Sequence, residues 1–166
     1  MNKQKTRSEQ IVDFIYIATL LFIFASTVLL GAIVAPVVFN SGLYLDNTTL
    51  GRFDNGLLMS EIFRRFGNIL NVALLIVTGY HAYKYKEFLA SYMTIFAFAV
   101  FAISSLLFNF YFSEGIFSFI MKGEIWIEQN IALFEAFHKA SEIDFGVVMF
   151  SSLALAILAF KHKIHS

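Results

Sequence analysis

The sequence predicts an all-α membrane protein: four transmembrane helices in a bundle, with both termini cytoplasmic. Three observations carry this expectation. The chain of 166 residues is 58% hydrophobic and 14% charged, where a soluble domain runs nearer about 45–50% apolar and about 25% charged. Its apolar residues gather in four long stretches, 14–39, 66–83, 88–112 and 143–160. Those stretches are apolar on every face, without the period-two alternation of a membrane-spanning strand. One membrane domain covering 1–166 accommodates all four.

Each stretch is tested against the bilayer. A hydrocarbon core of about 30 Å needs about 20 apolar residues as helix. The first stretch contains no charge, and although Lys3, Lys5 and Arg7 precede it, it outruns the h-region of about 7–15 residues that a cleaved signal peptide carries. It is expected to be a retained span. Spans two and three follow one another through Lys84, Tyr85, Lys86 and Glu87, a turn short enough to force adjacent antiparallel helices. The fourth stretch is the shortest and fits a locally thinned membrane. With the N-terminus inside, Lys3, Lys5, Arg7, Lys84, Lys86, Lys161 and Lys163 are cytoplasmic, against Arg52, Arg64, Arg65, Lys122 and Lys139 outside. That excess gives the orientation and places the chain in the cytoplasmic (inner) membrane. Tyr16, Tyr80, Tyr83, Tyr85 and Tyr92 suit one interfacial belt, Tyr44, Tyr111 and Trp126 the other.

The two outer loops carry helical patterns of their own. In 56–66, Leu58, Met59, Ile62, Phe63 and Phe66 fall on one face and Glu61, Arg64 and Arg65 on the other. In 124–142, Ile127, Ile131, Phe134 and Phe137 alternate with Glu128, Glu135 and Lys139. Both are expected to be amphipathic interfacial helices leading into the span that follows. Span one holds the backbone punctuation. Its proline, Pro36, removes a helical hydrogen bond and crowds the preceding turn, which predicts a kink at Gly31 and Ala32. Gly31 and Ala35 form a small-xxx-small pair that lets another helix approach closely.

The run from Gly31 through Val34, Ala35 and Pro36 to Phe39 resembles the first span of the domain-of-unknown-function 4149 family, small four-span bacterial membrane proteins. Glu61, Ile62, Phe63, Arg64, Arg65 and Phe66 are similar to that family's basic, Phe-centred approach to span two. Phe137, His138, Lys139, Ala140 and Ser141 resemble its His-containing helix before span four. The resemblance implies the four-span topology and supplies no catalytic residues.

Composition narrows the function classes. The formal net charge is zero, so no global field recruits nucleic acid. The chain has no cysteine, which removes disulfides, thiolate metal sites and thiol catalysis together. The middle of every span lacks Asp, Glu, Lys, Arg and His, which argues against an ion-driven pump. His81 and His138 sit at opposite ends of the bundle and cannot share one haem iron. His81, His162 and His165 share the cytoplasmic face, where solvation is the expectation over a metal. Glu135 and His138 have the spacing of one di-iron half-site, but a di-iron centre needs two such motifs. Asn47, Thr48 and Thr49 form a glycosylation sequon that has meaning only in a secretory host. Neither metal nor cofactor is expected, and the chain is not expected to be an enzyme.

One constellation remains. Asn40, Asn68, Asn71, Asn109, His138 and Asp144 lie near the outer ends of the four spans. They are expected to gather in the outer leaflet, either hydrogen-bonded to one another or lining a shallow pocket. Two functions follow. One is a non-enzymatic accessory or scaffold protein, using Gly31, Ala35 and Pro36 for packing against a membrane-protein partner or a second copy within the lipid bilayer. The other is a small permease or resistance protein that binds an amphipathic solute in the polar pocket.

Overall fold

The computed structural model describes residues 6–45, 51–86 and 91–164. Lys3, Lys5, Glu87, the 47–49 sequon and His165 lie outside the described residues, as do the side chains of Lys86, His162 and Lys163. Four long helices build the molecule: α1 (Arg7–Phe39), α2 (Arg52–Lys86), α3 (Tyr92–Ile120) and, after the short α4 (Glu124–Gln129), α5 (Ile131–Ile164). Among the described residues these four are long and apolar enough to cross a membrane, and the chain is a multi-pass membrane protein.

Local signals start the helices. Thr6 accepts from the Glu9 N–H at 3.3 Å while Glu9 accepts from the Thr6 N–H at 2.6 Å, a complete capping box at the head of α1. Ser91 caps α3 by accepting from the Thr94 N–H at 3.2 Å. Gly123, with φ of 94°, turns the chain between α3 and α4 in a conformation that L side chains rarely adopt.

The helices pack in the ring order α1, α2, α3, α5, each against its two neighbours. Every helix buries one stripe. On α1 it is Asp13, Tyr16, Ile17, Leu20, Ile23 and Thr27. On α2 it is Phe66, Leu70, Ala73, Val77 and His81. Small buried residues let α3 and α5 approach closely: Ser104 and Ser105 on one, Ser151, Ser152 and Ala156 on the other. Ser151 and Ser152 donate to carbonyls of their own helix, Val147 and Met149, each at 2.7 Å. The outward faces carry Phe14, Phe22, Leu75, Phe96, Phe110 and Phe150, all more than half exposed, a surface suited to hydrocarbon and costly in water.

Two expectations are corrected. The 56–66 stretch is no separate interfacial helix. It is the outer part of an unbroken α2 of 35 residues, because its apolar positions run directly into the Phe66–Leu70 stripe. The 124–142 stretch is divided between α4 and the first turns of α5. The third helix likewise continues beyond residue 112 to Ile120. Helices of 29 to 35 residues measure about 44–52 Å at helical rise, well beyond a core of about 30 Å. The end of the bundle remote from the termini is called here the distal end.

Regular winding breaks twice. Where the sequence places the Pro36 kink, α1 widens into a π-helical turn over Leu30–Val34, and the Ala35 N–H reaches back to the Leu30 carbonyl. In α3 a second π segment covers Leu107–Ser113. Both lie toward the distal end.

Candidate functional site

Halfway along the bundle a ring cluster closes the core. Phe63 and Phe66 of α2 meet Phe108 of α3 and Phe145 of α5 edge-on or tilted, with centroids 4.9–6.5 Å apart. On the terminal side of these rings packing is dense. On the distal side the helices diverge around a cavity of about 670 Å³, within the range that holds a small molecule.

The cavity is graded along its axis. Phe63, Phe108 and Phe145 form its floor. Met59, Ile116, Ile120 and Phe134 form the apolar middle. Arg52, Glu124, Glu128 and Glu135 stand at its mouth. From Arg52 to Phe63 is eleven residues of one helix, about 16 Å by rise. The α1 wall is Gly31, Ala35 and Phe39, contributed by the outward-wound π turn and the short α-helical end of α1. A methyl group built on Gly31 would come no closer than 3.9 Å to the Phe145 ring, so the small side chain leaves room in the chamber.

Two residues of the lining carry a buried side-chain atom with no hydrogen-bond partner among the described residues, Ser113 Oγ and His138 Nδ1, and both atoms are covered by the surrounding protein. Ser113 is only 4% exposed. A hydroxyl so placed without a partner costs about 1–3 kcal/mol. The other ring nitrogen, His138 Nε2, lies 3.4 Å from Glu142, which Lys139 also holds at 2.9 Å. The His138 ring is parallel to that of Phe134, 6.0 Å away.

The six polar residues expected to cluster are dispersed by helical phase. His138 alone among them lines the cavity. Asn40 is exposed and ties back to the Pro36 carbonyl of its own helix at 2.7 Å. Asn68 is exposed on the outer face of α2, and Asn71 is half-buried. Asn109 is buried in the α2–α3 interface, where a methyl group on Gly67 would collide with its carboxamide. Asp144 is buried against the Ser104 hydroxyl of α3, with Oδ2 unpartnered. Gly31 and Ala35 line the cavity, and Pro36 follows the π turn that shapes it.

A second polar group, at the terminal end, is absent from those expectations. Asp13 accepts from the Tyr80 hydroxyl at 2.9 Å and faces the Lys84 ammonium at 3.5 Å. Tyr16 stacks on Tyr80 with centroids 3.8 Å apart and is hydrogen-bonded to His81 Nε2 at 3.0 Å. The His81 ring in turn lies over Phe98 of α3 at 4.3 Å. His81 is thus a buried, partnered residue rather than a solvated one, and Tyr16 is 2% exposed rather than interfacial. The sequence signal was phase: Asp13 and His81 continue the buried stripes of α1 and α2 into their end turns.

Comparison with known proteins gives one match. The family described as a domain of unknown function (DUF4149) matches residues 18–121, which take in most of α1, all of α2 and α3 and the floor rings on α2 and α3. No curated protein and no solved structure matches the chain.

Proposed function

We propose that this chain, which belongs to the DUF4149 family, holds an amphipathic molecule in its distal cavity without transforming it. The observation that carries the reading is an apolar chamber of about 670 Å³, floored by Phe63, Phe108 and Phe145 and opening past charged side chains. An apolar tail would displace poorly held water from among the phenylalanines, and a polar group would stay at the charged mouth. Phe39, Ala35 and Gly31 are the wall nearest to lipid, on the helix whose winding is loosened there.

The excess of Lys and Arg on the terminal side supports a cytoplasmic-membrane orientation, with the cavity opening away from the cytoplasm. Such a site suits a small permease or resistance protein, or a carrier that shields its ligand. The accessory role expected from the sequence needs the Gly31 and Ala35 face free for a partner helix. Those residues line the cavity opposite Phe145, which favours binding over scaffolding.

Native mass spectrometry of the purified protein with a panel of neutral amphiphiles tests this. Gly56 lines the cavity, and a Cβ placed there meets nothing within 4 Å, so Gly56→Phe fills the chamber from a tolerant helical position. Wild-type protein should carry a one-to-one adduct that Gly56→Phe loses while keeping its melting temperature. Equal adducts on both proteins would defeat the reading.

A further inference from the structure

The mouth of the cavity has a charge pattern that its interior does not explain. Glu124 and Glu128 stand one turn apart on α4, and Glu135 follows on α5. None of the three carboxylates is ion-paired to a described residue. Nearby, Glu61 holds Arg64 and Arg65, each at 2.8 Å, and Glu142 holds Lys139, whereas Asp54 and Glu114 have no ion pair to a described residue either. Arg52 is the single cation of the lining. Three carboxylates against one guanidinium leave the mouth net acidic among the described residues.

From this we propose that the ligand is an amphipathic cation, an organic ammonium or phosphonium with an apolar or aromatic body. The inference rests on the binding reading above and narrows its ligand. Charge complementarity at the mouth attracts a cation and rejects an anion. Inside, Phe63, Phe108, Phe134 and Phe145 present ring faces and edges to a soft, weakly hydrated cation, which aromatic faces attract. Arg52 stands at the start of α2, so the acidic side of the mouth is the α4–α5 side, and the ligand's charge would settle there. An acidic fatty molecule would instead face Glu124, Glu128 and Glu135 together.

The test uses three probes of matched shape: tetraphenylphosphonium, neutral triphenylphosphine oxide and anionic tetraphenylborate. Binding is measured by equilibrium dialysis on the full chain in neutral detergent, with Gly56→Phe protein subtracting uptake by the micelle. Wild type should bind the phosphonium about tenfold more tightly than the neutral oxide, an electrostatic preference of about 1.4 kcal/mol. The preference should shrink as salt rises, because the mouth is solvated. The triple variant E124Q/E128Q/E135Q should bring the two affinities together while its binding of the neutral oxide, which certifies an intact chamber, is unchanged. Equal affinities in wild type, tighter tetraphenylborate binding, or a preference that survives the triple variant would overturn the cationic assignment and leave the cavity reading standing. Loss of all binding above the Gly56→Phe background would overturn both.

Discussion

The two ends of this bundle are built from similar materials and behave oppositely. At the terminal end Asp13, Tyr16, Tyr80, His81 and Lys84 meet with every ring stacked or hydrogen-bonded, and α1 and α2 are drawn together. At the distal end Ser113, His138 and the mouth carboxylates are set around empty volume, with polar atoms left unanswered. Both ends have aromatic residues, a histidine and acids. What differs is winding and length. The terminal halves of α1 and α3 are regular α-helix, so their buried stripes stay in phase. The distal parts pass through π turns at Leu30–Val34 and Leu107–Ser113. Closure is thus a property of stripes in register, and the opening follows where register is lost.

Substitutions at the two ends should make this contrast measurable, with thermal melting in detergent as the readout. The largest effect is expected from Asp13→Ala, which leaves the Lys84 ammonium and the Tyr80 hydroxyl without their shared acceptor in a buried setting. The loss should be about 3 kcal/mol, and a melting temperature equal to wild type would refute the view of this end as a clasp. Next is Gly67→Ala, at the boundary between the two regimes. Its methyl group collides with the buried Asn109 carboxamide, and overpacking of this kind should cost about 1–3 kcal/mol. Tyr16→Phe keeps the stacking on Tyr80 and deletes one hydrogen bond to His81. It should cost about 1 kcal/mol, and an unchanged melting temperature would mean that the bond to His81 contributes nothing. The smallest loss belongs to Ser113→Ala. Because that hydroxyl bonds nothing among the described residues, its removal should cost no stability and should relieve part of its burial penalty, raising the melting temperature slightly. A large destabilisation there would mean that Ser113 has a structural partner after all.

The span pattern was legible because it depends on length and composition alone. Four stretches of sufficient apolar length account for four helices without any knowledge of their faces. The polar cluster failed for the converse reason. Depth in the membrane was read from position along the chain, but the direction a side chain faces depends on helical phase. Asn68 lies two residues past Phe66 and two before Leu70, so it falls off the buried stripe and outward. Asn40 ends its helix and caps it. The same phase argument, carried from Val77 to His81, finds the terminal clasp. The distal chamber was not recoverable this way, since the π turns at Leu30–Val34 and Leu107–Ser113 reset the phase of α1 and α3. Apolar periodicity counts residues at a fixed angle and cannot see an extra one.

That extra residue has a consequence for how the chamber wall can change in a lineage. A π turn accommodates one residue more than an α turn over nearly the same rise, and each residue of α-helix advances the chain by about 100°. Deleting a single codon within Leu30–Val34 would return α1 to regular winding while keeping Ala35 and Phe39 on the chamber side, since the wide turn had absorbed the extra residue. Asp13, Tyr16 and the rest of the clasp would not move. Point substitution can only retouch this wall, whereas one in-frame deletion takes out its wide turn and leaves its facing intact.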